Sequence, residues 1–189
     1  MLVALVVVLL ILAGVVLIGL VWLAVAYNGL VRLRNQGKNA WAQIDVQLKR
    51  RYDLIPNLVE TAKGYMAHER QLLENVTNAR AACLKAQGAA DQAKAENFLS
   101  QTLKSLFAVV ENYPNLKANE TMMRLMEELT STENKISFAR QLYNDSVMRL
   151  NVSIESFPTN LVAGMFGFKK MELFEVAVEA ERQPVKVQF

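Results

Sequence analysis

Only one cysteine and one histidine stand among the 189 residues. The lone cysteine, Cys83, excludes an intramolecular disulfide framework and CxxC chemistry, and it fits a reducing compartment. The lone histidine, His68, cannot supply two Glu-x-x-His motifs for a carboxylate-bridged di-iron bundle, and Tyr65 stands where the glutamate would be needed. Ligand counting therefore predicts no metal and no cofactor. Four prolines and eight glycines leave little to interrupt helices. Charge of either sign is missing from the side chains before Arg32. The net charge is only +3, too mild and too concentrated after that first stretch to argue for nucleic acid.

What fills the uncharged stretch is an unbroken apolar run, Leu2 to Ala26. As a helix it reaches roughly 37 Å, against a hydrocarbon core of about 30 Å. A helix satisfies its backbone amides within one segment, which lipid demands. Trp22 and Tyr27 stand near its far end, where amphipathic rings favour the membrane interface. A cleaved signal peptide is the rival reading, since Ala24-Val25-Ala26 resembles a small-x-small site. The run is longer than a signal core and no Lys or Arg precedes it, which favours a retained anchor. Arg32, Arg34 and Lys38 follow before the first acid, Asp45. The positive-inside rule then predicts a single-pass protein with its N-terminus outside and its larger part in the cytoplasm. The same cations would lie near anionic headgroups.

Beyond the anchor (residues 1–27) the periodicity predicts one helical domain (28–183) and an extended tail (184–189). Trp41, Ile44, Leu48, Tyr52, Ile55, Val59, Ala62, Tyr65, Leu72, Val76, Ala79 and Cys83 step by threes and fours as one sustained stripe. Gly29 and Gly37 are the only obstacles to helix between Tyr27 and Trp41, so the anchor is expected to continue into the domain. Pro56 crowds the carbonyl of Tyr52, and the unbroken phase favours a kink there over a break. Gly88 and its alanine-rich surroundings read as a loop. A second helix is expected from about Asp91, a candidate N-cap, to Asn112, followed by a turn at Tyr113-Pro114-Asn115.

The third helix has the cleanest pattern. Met122, Leu129, Ile136, Tyr143 and Leu150 recur every seven residues, with Leu125, Thr132, Ala139, Val147 and Ile154 between them. It should end before Phe157-Pro158. A short piece from Thr159 to Met165 and a helix from Lys170 to Glu181 complete the expected elements. The fold class is all-α: a transmembrane helix, then an elongated antiparallel bundle of three long helices and a shorter C-terminal one. Helix two is short for its neighbours, so the C-terminal helix or another copy must cover what it leaves bare. The methionines Met122, Met123, Met126, Met148, Met165 and Met171 read as core filler on or near the stripes.

Polar residues cluster beside the seams: Asp45, Arg50, Arg51, Asp53, Asn57 and Glu60 on helix one, and Glu133, Asn134, Arg140, Gln141, Asn144 and Asp145 on helix three. A structural polar network is expected of Asp45, Glu60, Glu133, Arg140 and Asn144, fixing register rather than performing catalysis. No phosphate loop or nucleophile–base pair is visible, so no residue is assigned a catalytic role.

Several stretches resemble the LemA family: Tyr27-Asn28 through Arg34-Asn35, then AWAQIDVQLKRRYDLIPNLVETAKGYMAHE (Ala40 to Glu69), LTSTENKISFARQLYNDSV (Leu129 to Val147) and FPTNLVAGMFGF (Phe157 to Phe168), with Phe174-Glu175 after them. The resemblance implies a bacterial membrane-anchored protein with a mainly helical soluble part, hence the cytoplasmic (inner) membrane, and implies no reaction. Relatives in specialised bacterial membranes point to an organising role. The expected partners are the lipid bilayer, other copies of the chain and other membrane proteins. Val185, Val187 and Phe189 alternate after Pro184, as an extended segment with one sticky face would, and are expected to dock on the bundle or on a neighbouring copy.

Overall fold

The computed structural model describes residues 1–174. Regular structure among them is all helical: α1 (Leu2–Lys63), α2 (Arg70–Lys85), α3 (Gly88–Val110), α4 (Pro114–Lys117), α5 (Glu120–Glu155) and α6 (Thr159–Met165). This is the all-α class that the periodicity predicts. The chain forms two compact units. Among the described residues, one combines Met1–Asn39 with Asn144–Met171, and the other combines Ala40–Tyr143 with residues 172–174. Helices α1 and α5 contribute to both.

Helix α1 runs for 62 residues without a break, from the apolar run through Pro56. Proline has no N–H to give the carbonyl four residues back, which is that of Tyr52. Arg80 of α2 supplies the missing donor: its Nε lies 2.7 Å from the Tyr52 carbonyl oxygen. The helix therefore crosses Pro56 with its exposed acceptor satisfied.

The break comes later than Pro56. The stripe expected to run from Trp41 to Cys83 is two helices, parted at residues 64–69. The N–H groups of Tyr65 and Met66 both reach the Ala62 carbonyl, at 3.0 and 2.9 Å, and turn the chain. The turn displaces the buried register by one residue as far as Leu73, while Val76, Ala79 and Cys83 are buried as the stripe predicts. Met66 and Leu73 enter the core in place of Tyr65 and Leu72. Helix α2 then packs on α3. This also removes the expected mismatch of lengths: within the second unit, the segments of α1 and α5 are close in length to the 23-residue α3.

Gly88 does not sit in a loop but is the first residue of α3. Its φ of +80° is a left-handed value that glycine alone adopts freely. The connection from α2 is thereby reduced to Ala86 and Gln87, and the alanines that follow, strong helix formers, are helical. Gln87 is the N-cap; Asp91 lies in the first turn, where its charge complements the helix dipole. Pro114 opens the single turn of α4, a position that suits its fixed φ. Asn119 caps α5: its Oδ1 accepts the Met122 N–H at 3.0 Å.

The heptad positions of α5 within the second unit, Met122, Leu129, Ile136 and Tyr143, are all buried. They meet a core of Ile44, Leu48, Ile55 and Leu58 from α1, Val76 and Ala79 from α2, and Leu99 and Leu106 from α3. In the first unit Leu150 of α5 joins Ala26 and Leu30 of α1 and Val162 and Ala163 of α6 in a separate apolar cluster. Helix α6 ends in a Schellman turn. Gly167, at φ +67°, donates to Gly164 O at 3.3 Å, and Phe168 donates to Ala163 O at 2.9 Å. Gly37 on α1 is buried, and a Cβ there would lie 3.2 Å from Met171 Sδ, so glycine lets Met171 seat on the helix.

The helix expected from Lys170 is absent over its described part. Residues 168–174 are irregular, because their backbone bonds go to side chains. Asn151 accepts the Met171 N–H at 3.0 Å and donates to the Met171 carbonyl at 2.9 Å. Tyr143 donates its hydroxyl to Glu172 O at 2.7 Å. The remainder of that expected helix, and Val185, Val187 and Phe189, lie outside the described residues. The methionines also depart from expectation: Met122 is fully buried, but Met123, Met148 and Met165 are exposed.

Candidate functional site

Two places concentrate chemistry, one in each unit. In the second unit it is a buried charge cluster. Arg51 falls on the core stripe of α1, one turn from Leu48 and from Ile55, and is fully buried. Glu96 falls on the buried stripe of α3 between Ala93 and Leu99, and is equally buried. The two form an ion pair. Arg51 also pairs with Glu133 of α5, and Ser100 links them further: it accepts from Arg51 Nη1 at 3.0 Å and donates to Glu133 Oε1 at 2.9 Å. The Tyr52 hydroxyl donates to Glu96 Oε1, while Gln92 donates to both, at 2.8 Å to the phenol and 2.9 Å to the carboxylate.

Arg140 approaches the same cluster from α5. It is 9 % exposed, and the Phe174 ring lies 4.7 Å from its Cζ. Trp41 completes the wall, with its ring 5.2 Å from Tyr143 and 6.0 Å from Phe174 between centroids. Burial first, and the neighbouring Arg51 charge second, push the Arg140 guanidinium down to about 10, so it stays cationic at neutral pH. Burial pushes the Tyr52 phenol up, well beyond its ordinary range. Burial likewise raises the Cys83 thiol, which makes it a poor nucleophile.

Chemically, this arrangement ties helices together. The buried carboxylate is consumed by Arg51, Tyr52 and Gln92, and the tyrosine is held neutral. Among the described residues no group of three or more His, Cys, Asp or Glu is placed to hold a metal. Of the polar residues expected in a network, Glu133 and Arg140 lie in this cluster. Asp45 and Glu60 stand outside it, because both lie on the exposed face of α1; Glu60 pairs with Lys63 at 3.2 Å. Asn144 is half-buried on α5, in the first unit. Arg51, expected beside the seam of helix one, lies within it, and Glu96 was the residue to find. Their signal is a charge of opposite sign interrupting each of two apolar stripes.

In the first unit, residues Leu2 to Val25 are almost all exposed, and this part of α1 is long and apolar enough to cross a membrane. Trp22 and Tyr27 mark its end. The Tyr27 ring packs on Phe166 at 4.7 Å and on Phe168 at 5.9 Å between centroids. Arg34 places its Cζ 5.1 Å from the Phe168 ring centroid. Arg32 and Lys38 are exposed beside it.

Residues 40–189 match the LemA family. The chain is similar to a magnetosome protein, MamQ, of Magnetospirillum gryphiswaldense, at 25 % identity over 80 % of this chain and 65 % of that protein. It is similar at the same identity to MamQ 2 of Paramagnetospirillum magneticum, over 81 % of this chain and 66 % of that one. Protein LemA of Metamycoplasma hominis is 26 % identical over 80 % of this chain and 67 % of its own length. The chain thus spans just under two thirds of the magnetosome relatives. None of these names denotes a reaction. With an exposed apolar helix leading into an all-helical fold, and a match over the whole stretch from Ala40 on, the protein is membrane-associated and belongs to the LemA family.

Proposed function

We propose that this protein is a non-enzymatic, single-pass scaffold of a bacterial cytoplasmic membrane that organises the bilayer by assembling with copies of itself. The N-terminus lies outside and the helical domain inside. One observation carries the reading: buried Arg51 is paired with Glu96 and Glu133 across α1, α3 and α5, while the outward faces of the domain keep apolar side chains. In the second unit α1 and α5 border an open groove of about 700 Å³, lined by Ala42, Val46, Gln47, Lys135 and Phe138 among others. Phe138 is 70 % and Val46 62 % exposed.

The groove fits a second copy or a different membrane protein equally in chemistry, so an adaptor is the second reading. Crosslinking separates them. With Cys83→Ala as background, Phe138→Cys and a bifunctional thiol reagent in native membranes should give a covalent dimer of the chain. A single adduct with one other protein, in fixed ratio, would favour the adaptor. Truncation after Gln183 should reduce the size of the assembly on native gels if the Val185, Val187 and Phe189 alternation contributes a contact.

A further inference from the structure

Helix α6 sits where α1 leaves its apolar run. Its Val162 and Ala163 are buried on Ala26, Leu30 and Leu150. Its other side is also apolar and is bare. Phe157 just before it is 80 % exposed, Leu161 58 %, Met165 72 % and Phe166 49 %. The spacing of four places Leu161 and Met165 along one face of α6, and Phe157 and Phe166 flank its two ends. A helix facing water presents polar residues there.

Two observations identify what covers this face. The first is continuity. The exposed apolar surface of α1 runs to Val25 and Tyr27, and α6 packs at that same level. A run of this length exceeds the hydrocarbon core by about one turn, so its last turn lies in the headgroup layer. That layer accepts aromatic and long apolar side chains lying parallel to the surface. The second is charge. Residues 27–38 and 157–171 carry Arg32, Arg34, Lys38, Lys169 and Lys170, and no aspartate or glutamate. All five cations are exposed, and Lys170 is also paired with Glu155.

We infer that α6 is a second membrane contact: Phe157, Leu161, Met165 and Phe166 insert into the interfacial layer of the leaflet that α1 leaves, and the cations around them meet the phosphates of anionic lipids. This rests on α1 being a span. It gives the first unit two points of contact with the bilayer in place of one.

The test uses the full chain with Cys83→Ala, reconstituted in vesicles of phosphatidylcholine and phosphatidylglycerol. Single nitroxides are placed through Met165→Cys, Phe157→Cys, Val16→Cys and Lys104→Cys. Power saturation then reads collision with oxygen, which favours lipid, against a water-soluble nickel chelate. The Met165 and Phe157 labels should show oxygen-to-nickel ratios several-fold above Lys104 and below Val16. Ratios equal to that at Lys104, with Val16 immersed, overturn the inference and leave the span intact. Poor collision with both reagents also overturns it, because protein then covers the face. A Val16 label that collides like Lys104 removes the span, and this inference with it.

Discussion

At Tyr52 the backbone and the side chain are held by different helices. Arg80 of α2 takes its carbonyl, and Glu96 and Gln92 of α3 take its hydroxyl. Removing the arginine head with Arg80→Ala leaves that carbonyl unpaired, at about 1–3 kcal/mol. Pro56→Ala in the same chain restores an N–H four residues on, so chemical denaturation should show the double variant recovering most of the loss. Arg51→Met leaves Glu96 buried without its cation and should cost about 3–5 kcal/mol, whereas Arg51→Met with Glu96→Leu should recover much of it, as apolar replacements of buried pairs do. The phenol gives a pH signature. Its folded value is raised above the ordinary 10.0, so its contribution is complete below pH 10 and is lost as pH climbs through the folded value. Stability should therefore fall above pH 10, and Tyr52→Phe should flatten that fall in a series of thermal melts. Arg51, Glu133 and Arg140 were legible as polar residues beside the seams; the burial of Glu96 and the choice of which carboxylate meets which arginine were not, since both depend on helix order in space.

Elements were legible where one period ran undisturbed. The α5 heptads from Met122 to Tyr143 are buried as read, because nothing in that stretch competes with helix. The break between α1 and α2 was hidden. Gly64 is its only turn residue, while Pro56 signals far more loudly and is compensated by an arginine from another helix. The alanines after Gly88 read as loop by composition yet are helical by propensity, and Asn151 and Tyr143 draw residues 171 and 172 out of the expected C-terminal helix. Two glycines set the ends of elements by conformation alone. Gly88→Ala and Gly167→Ala should each cost about 1–2 kcal/mol through left-handed strain. Little else resists a Cβ at either place: the nearest atom at Gly88 is Glu172 Oε2 at 3.9 Å, and nothing lies within 4 Å at Gly167. Denaturant midpoints with unchanged slopes would show this.

For the molecule, the apolar helix and the family membership were both readable, because a long uncharged run and extended motifs survive without any tertiary information. The division into two units was not, since α1 and α5 pass through both and their sequence patterns do not change at the boundary. Orientation has its own test. Lys104→Cys, in the Cys83→Ala background, should react with a membrane-impermeant maleimide only after intact cells are permeabilised; reaction beforehand would reverse the assignment. The central claim is assembly of like copies at a membrane. It is tested most directly by the protein mass of the detergent-extracted particle, measured by light scattering with the detergent contribution subtracted. The account predicts a whole-number multiple of the chain, greater than one. A particle holding a single chain would contradict it.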